Sequence, residues 1–182
     1  MTFVVVHESM FGNTRMVADT IADTLRAAGD DVRQVPAARL PHLEFADDDV
    51  LVLGAPTHAH TFPGHRSRLA ASGMVEKSKP PLTLEPTATA PGLREWIRDG
   101  SVFPECAAVF DTRANGPRLL TGSAAVRIAR QLRRRQVRIL VPPASFLVSA
   151  NRLVDGELDR AAAWARTVLA ARSPSDAALA RR

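Results

Sequence analysis

Phe3-Val4-Val5-Val6-His7-Glu8-Ser9-Met10-Phe11-Gly12-Asn13-Thr14 is the stretch whose reading decides the fold. Phe3 to Val6 is an apolar, β-branched run of strand length. Ser9 to Thr14 follows as a short polar loop. Val17, Ile21 and Leu25 then recur every fourth residue beside Ala18 and Ala22, which predicts a helix with one apolar face. A loop between a strand end and a helix start carries free backbone N–H groups and the positive end of the helix dipole, so it suits an anion, most often phosphate. Ser9, Asn13 and Thr14 add neutral side-chain donors, and Gly12 lets the backbone approach a ligand closely. The same residues also suit ordinary helix capping.

The loop has no Gly-Lys-Ser/Thr and no three spaced glycines, so it is neither a nucleoside-triphosphate P-loop nor a dinucleotide fingerprint. With one glycine and no basic residue before Arg15, it suits a phosphate held by neutral donors. Ser9-Met10-Phe11-Gly12-Asn13-Thr14 directly after the first strand resembles the phosphate loop of the flavodoxin-like family, which holds the phosphate of flavin mononucleotide (FMN). Gly54-Ala55-Pro56-Thr57-His58-Ala59-His60 after a third strand, Val50 to Leu53, resembles the family's second flavin-contacting loop. The resemblance implies that Pro56 and Thr57 shape this loop, while backbone groups near His58 and Ala59 meet the ring. Its aromatic place falls to His58, His60 or Phe62, since the chain has no tyrosine. By topology Asp111, Thr112 and Arg113, after a fourth strand Ala107 to Phe110, form a third contact segment at the pyrimidine part of the ring. Arg113 can also offset negative charge on reduced flavin. A solvent-exposed turn is the alternative for each of these three residues.

Composition narrows the remaining classes. At 182 residues and 46% apolar content the chain reads as one domain, 1–172, with a poorly ordered tail at 173–182. The chain opens on a strand with no basic region before it, and it holds no membrane-length apolar run. The expectation is therefore a cytoplasmic protein without a membrane segment. Cys106 is the single cysteine, which excludes an internal disulfide framework and a cysteine-rich metal site. It also excludes a phosphatase with a cysteine in the first loop, while Gly54 disfavours a receiver domain, which needs aspartate at the end of the third strand. Net charge is +5, carried by arginine, since Lys77 and Lys79 are the only lysines; such a chain suits an acidic redox partner or a polyanion.

Along the rest of the chain, Gly29 closes the first helix, and Val32 to Val35 alternates as a second, edge-type strand. Leu40 to Phe45 is a connector. Asp47-Asp48-Asp49 reads as a turn at the amino end of the third strand, away from the ligand-binding edge of a parallel sheet, rather than as a metal site. His58 and His60 lack the further spaced ligands of a metal centre. Residues 63–101 read as a loop-rich insertion beside the second loop, a lid or a partner surface. It holds a helix over 66–75 and a core stripe of Leu93, Trp96 and Ile97 closed by Gly100. Ser123 caps a helix over 124–135 with Ala125, Ile128 and Leu132 buried. Its arginines 127, 130, 133, 134 and 135, with Arg138, have no interleaved aromatics and read as a solvated face rather than a nucleic-acid surface. Val137 to Val141 is the fifth strand, interrupted by Pro142-Pro143 and extended by Phe146 to Val148. Asp155 caps a last helix with a stripe of Leu158, Ala162, Ala165 and Leu169.

The sequence thus predicts a doubly wound α/β fold with a five-stranded parallel sheet in flavodoxin-like order 2-1-3-4-5. The resemblance implies an FMN-binding redox protein that passes electrons between partner proteins, with no acid, base or nucleophile supplied by the chain. Two alternatives stay open. One is an NAD(P)H-dependent FMN reductase of a quinone or another small acceptor. The other is a binding or interaction module on the same fold without flavin.

Overall fold

β1 (Phe3–His7) is buried along its whole length and forms the axis of the sheet. The computed structural model describes residues 1–58, 60–73, 75, 82–99 and 102–172. The predicted tail and Gly100 lie outside the described residues. β1 pairs in parallel with β2 (Val32–Pro36) on one side and β3 (Val50–Pro56) on the other. β3 pairs in parallel with β4 (Cys106–Ala114), from Val50 opposite Cys106 to Pro56 opposite Thr112.

The fifth position is split. β5 (Arg138–Ile139) pairs with Cys106 and Ala107, and β6 (Ala144–Ser149) pairs with Phe110 to Ala114, both parallel to β4. Pro142-Pro143 lies between them and cannot donate to a ladder. The expected order 2-1-3-4-5 therefore holds, with the last strand broken in two where the prolines stand. The sequence reading lacked β7 (Arg152–Leu153), which folds back antiparallel on β6 and brings the described sheet to seven strands.

Every residue of β1 is buried, so both faces of the sheet must be covered. Phe3, Val5, Val50 and Val52 face α1 (Asn13–Ala27) and α6 (Glu157–Ala171). Val4, Val6, Leu51 and Leu53 face α3 (Leu93–Arg98) and α5 (Ala124–Arg133). This is the doubly wound arrangement. Val17, Ile21 and Leu25 of α1 are fully buried; each such side chain contributes about 1.5–3 kcal/mol of transfer free energy. Trp96 packs in the core between Phe45 and Phe103.

Four local expectations are corrected. The stripe of α6 is Ala161, Ala165 and Val168, whereas Leu158 is 37% exposed. Gly156, in the left-handed conformation, is the N-cap in place of Asp155, and this rotates the helix start. The helix expected over 66–75 is α2 (His65–Ser72), which stops at Gly73. The connector after β2 is a 3-10 turn over Ala37–His42 rather than over Leu40 to Phe45.

Candidate functional site

The carboxyl ends of β1, β3 and β4 open onto one cleft of about 570 Å³, a size typical of small-molecule sites. On its first side, Gly12 takes φ 91° and starts α1; a non-glycine residue there would be strained. The Gly12 N–H donates to Ser9 Oγ at 3.1 Å, closing the loop on itself. Thr14 Oγ1 lies 2.7 Å from Thr112 Oγ1, a buried hydroxyl pair that ties α1 to β4. Asn13 Nδ2 donates to the Asn151 carbonyl at 3.0 Å, tying the loop to the β6–β7 turn. Arg15, the first base in the helix, is engaged with Glu85 at 2.9 Å and Asp19 at 3.1 Å. This end of the cleft therefore carries neutral donors.

Part of the 63–101 segment packs on this loop. Met10 is buried with Ala71 and Ala88, beside Phe11 and Leu84, and the Glu85 N–H donates to the Met10 carbonyl at 2.9 Å. The segment thus braces the first loop, and through Arg94, which donates to Thr61 Oγ1 and the Phe62 carbonyl, it also lies beside the second, as the sequence predicts. Residues 76–81 lie outside the described residues.

The second loop is fixed from both ends. The Thr57 N–H donates to the Thr112 carbonyl at 2.7 Å, and Thr57 Oγ1 accepts from the Ala124 N–H at 2.9 Å. His58 and Thr61 exchange backbone hydrogen bonds. His58 lines the cleft, and burial, with Arg68 adding to it, pushes its pKa below the ordinary value. The imidazole is therefore neutral at pH 7 and presents one N–H donor and one acceptor. His60 takes φ 68° and pairs with Gly122 on the rim rather than lining the cleft. Phe62 is buried under the Arg94 guanidinium, away from the cleft. Ala59 lies outside the described residues.

The third segment belongs to β4 rather than to a loop, because the strand runs to Ala114. Strand residues alternate between faces, so Thr112 points to one side of the sheet and Asp111 and Arg113 to the other. Thr112 faces Thr14 and lines the cleft. Asp111, fully buried, turns to the start of α5, where it accepts from Ser123 Oγ at 2.6 Å and the Ala125 N–H at 2.9 Å. It is a helix anchor and does not line the cleft. Arg113 lines the cleft, donating through Nη1 to the Gly116 carbonyl and Thr121 Oγ1, each at 2.8 Å. Its buried Nε has no acceptor among the described residues.

The cleft thus gathers Ser9, Met10, Phe11, Asn13, Thr14, Pro56, Thr57, His58, Thr112 and Arg113, with Gly12 behind the first loop. Ser67 and Ala70 of α2 also line it, as do Val148, Ala150 and Asn151 of the β6–β7 hairpin, all missed by sequence reasoning. Ala150 and Asn151 take φ 46° and 61°, the backbone of a tight two-residue hairpin turn. An Ala-Asn pair is a weak signal for such a turn, so the hairpin left little trace in the sequence.

Beneath the cleft is a buried ionic group that sequence reasoning also missed. Arg68, 2% exposed, reaches Glu8 at 3.1 Å and Glu95 at 2.8 Å. Glu8 also accepts from the Leu93 N–H at 3.0 Å. A Cβ on Gly92 would sit 2.3 Å from Glu8 Oε2, so this approach requires glycine. Among the described residues no group of three or more His, Cys, Asp or Glu could hold a metal ion. No helix among them is long and apolar enough to cross a membrane.

No protein-family model matches the chain, and no curated protein matches its sequence. Solved structures do. A cysteine-to-serine variant of the flavodoxin from Pseudomonas aeruginosa superposes with a TM-score of 0.64 at 18% identity, over 94% of this chain and 98% of that one. A flavodoxin from the domain Archaea gives 0.60 at 15% identity, over 95% and 100%. The flavodiiron protein from Giardia intestinalis gives 0.56 at 15% identity; the match covers 94% of this chain and 37% of that larger protein. The element order, the sheet topology and these superpositions agree that the chain has the flavodoxin-like fold.

Proposed function

We propose that this chain binds FMN in the cleft and serves as an electron-transfer protein. The observation that carries the reading is the convergence of three segments on one cleft: a neutral-donor loop at a helix start, the Thr57-His58 loop and the end of β4. The donor set fits the ligand. Ser9, Asn13 and Thr14 would hold the phosphate through backbone N–H groups and hydroxyl or amide donors, with Gly12 shaping the loop behind them. Thr57, His58, Thr112 and Arg113 would hold the ring, and the unpartnered Arg113 Nε suits an acceptor atom there. Bound flavin would supply the redox chemistry, with the protein setting orientation and potential.

The chain's own contributions follow from the site. The neutral His58 offers a donor and an acceptor without adding charge. Arg113 brings the cleft its one permanent positive charge, which favours an anionic ring over a neutral one. Phe11 and Met10 exclude water from the first-loop side.

The test is the visible spectrum after incubation with FMN and desalting, with a fluorescence titration beside it. Retained absorbance near ~450 nm, the expected signature of a cofactor that carries the chemistry, and quenched FMN emission are the expected results. A colourless protein that leaves FMN emission unchanged overturns the reading and leaves the flavin-free binding module. Stopped-flow mixing of the loaded protein with NAD(P)H then separates the carrier, which is not bleached, from a reductase of small acceptors, which is.

A further inference from the structure

We propose that the exposed side of α5 and the tip of α4 (Arg118–Thr121) form a docking surface for an acidic electron-transfer protein. The partner's redox role rests on the flavin reading; its binding does not.

Arg127, Arg130 and Arg134 stand at i, i+3 and i+7, all exposed, on the side opposite the buried stripe of Ala125, Ile128 and Leu132. From Pro117 to Arg138 the sequence contains no acidic residue. Arg15, Arg26, Arg68, Arg98, Arg160 and Arg172 make ion pairs; Arg33, Arg39, Arg66, Arg152 and Arg166 make none among the described residues, but 117–138 sets seven arginines in one run without an acid. Among the described residues Arg118, Arg127, Arg130 and Arg134 make none. These four side chains are exposed, so their charge is open to an outside partner.

The apolar part of the surface lies at the amino end of this row. Leu119 is 91% exposed and Leu120 69%, although leucine loses free energy in water. Two residues on, Gly122 pairs with His60, so the leucines follow closely on the second loop. From there the arginine row runs about 10 Å along α5, at 1.5 Å per residue. An apolar contact flanked by arginines is the make-up of a protein interface. The small size suits a transient redox complex, in which charge steers encounter.

The same observations decide against other occupants. The row carries no aromatic side chain on which bases could stack. A second copy presenting the same face would set arginine against arginine.

The test uses the full chain and a fluorescently labelled acidic plant-type ferredoxin, read by anisotropy, with basic cytochrome c and a single-stranded oligonucleotide as comparisons. The expected result is binding to ferredoxin but not to cytochrome c, weakened at least ~10-fold between about 50 and about 300 mM salt. The triple variant Arg127→Glu/Arg130→Glu/Arg134→Glu should lose at least ~10-fold in affinity. Leu119→Ser/Leu120→Ser should lose ~3- to 10-fold at both salt concentrations. Both variants should keep the wild-type circular dichroism spectrum and the wild-type FMN affinity. The proposal is overturned if ferredoxin does not bind at low salt, or binds the arginine variant equally well. It is also overturned if the oligonucleotide binds more tightly than ferredoxin and ignores the leucine change. A colourless protein that still binds ferredoxin would remove the flavin reading and leave the surface standing.

Discussion

Glu8, just past the end of β1, and Asp111, in the second half of β4, are both buried carboxylates under the cleft, and they are held in different ways; the buried Asp111 Oδ1 has no donor among the described residues. Glu8 meets a full positive charge, Arg68, and one backbone N–H. Asp111 meets no cation among the described residues; through Oδ2 it accepts from a hydroxyl and from the first turn of α5, where the helix dipole is positive. Each fastens an element on the far side of the cleft: Glu8 holds α2 and α3, Asp111 holds α5. The Glu8 group places one arginine between two carboxylates, and burial drives the Glu8 pKa above its ordinary value despite that partner. A helix start can thus hold a carboxylate with neutral groups, whereas a buried ion pair leaves each partner dependent on the other.

The sharpest way to break this comparison is Arg68→Ala. It strands Glu8 without a cation and should cost about 3–5 kcal/mol in urea denaturation, as removal of one partner of a buried pair does. Adding Glu8→Gln should recover part of the loss; no recovery would mean that Arg68 acts by packing alone. Asp111→Ala should cost less, about 2–3 kcal/mol, since it removes hydrogen bonds to a charged acceptor but strands no charge. If Asp111→Ala proved the more damaging change, the ranking of ion pair over helix start would be reversed.

Acid sharpens the contrast further. Because the folded state holds the Glu8 proton more tightly than the unfolded chain does, the Glu8 contribution is complete below the ordinary carboxylate value. It is lost as pH rises through the folded value. His7 and His58 run the other way: burial depresses both, so their contribution is complete above about 6.5 and is lost as pH falls through the folded values. Stability measured against pH should therefore rise toward neutrality in Glu8→Gln more steeply than in wild type, and flatten in His7→Gln/His58→Gln. A wild-type profile unchanged by both sets of substitutions would contradict these assignments.

Two smaller effects probe the hydroxyls on either side of β4. Thr14→Val removes the hydroxyl that meets Thr112 and, on the proposed reading, a phosphate donor. FMN affinity should fall by about 1 kcal/mol, roughly five-fold. Ser123→Ala removes both the α5 cap and a donor to Asp111, and should cost about 1 kcal/mol of stability with FMN affinity intact.

What the sequence disclosed follows from the range of the forces involved. The β1 run, the α1 stripe and the cap at Ser123 are local patterns, and the structure reproduces them. The α6 stripe was misread because alanines surround the helix and several faces look equally apolar; burial of Glu157, which accepts from the Leu147 N–H, sets its rotation. The Arg68 group was invisible because Glu8 lies 60 residues away in sequence. In sequence, His65 to Ser72 reads as an ordinary polar helix. Of the candidate site, the two loops with recognisable patterns were legible, whereas the α2 and hairpin walls come from tertiary packing. The pattern of the fourth strand fades at Phe110, four residues before β4 ends, and this hides the alternation that turns Asp111 to α5.

The hairpin of β6 and β7 bears on how the protein behaves in a crowd of its own copies. An open sheet has two margins, and each is a template on which another chain can add a strand. Here one margin, β2, ends in Pro36, while the other is a two-residue strand that leaves almost no ladder to extend. Removing the backbone reversal at Ala150-Asn151 would uncover β6 and its Phe146-Leu147-Val148 run, turning a guarded border into a site of aggregation.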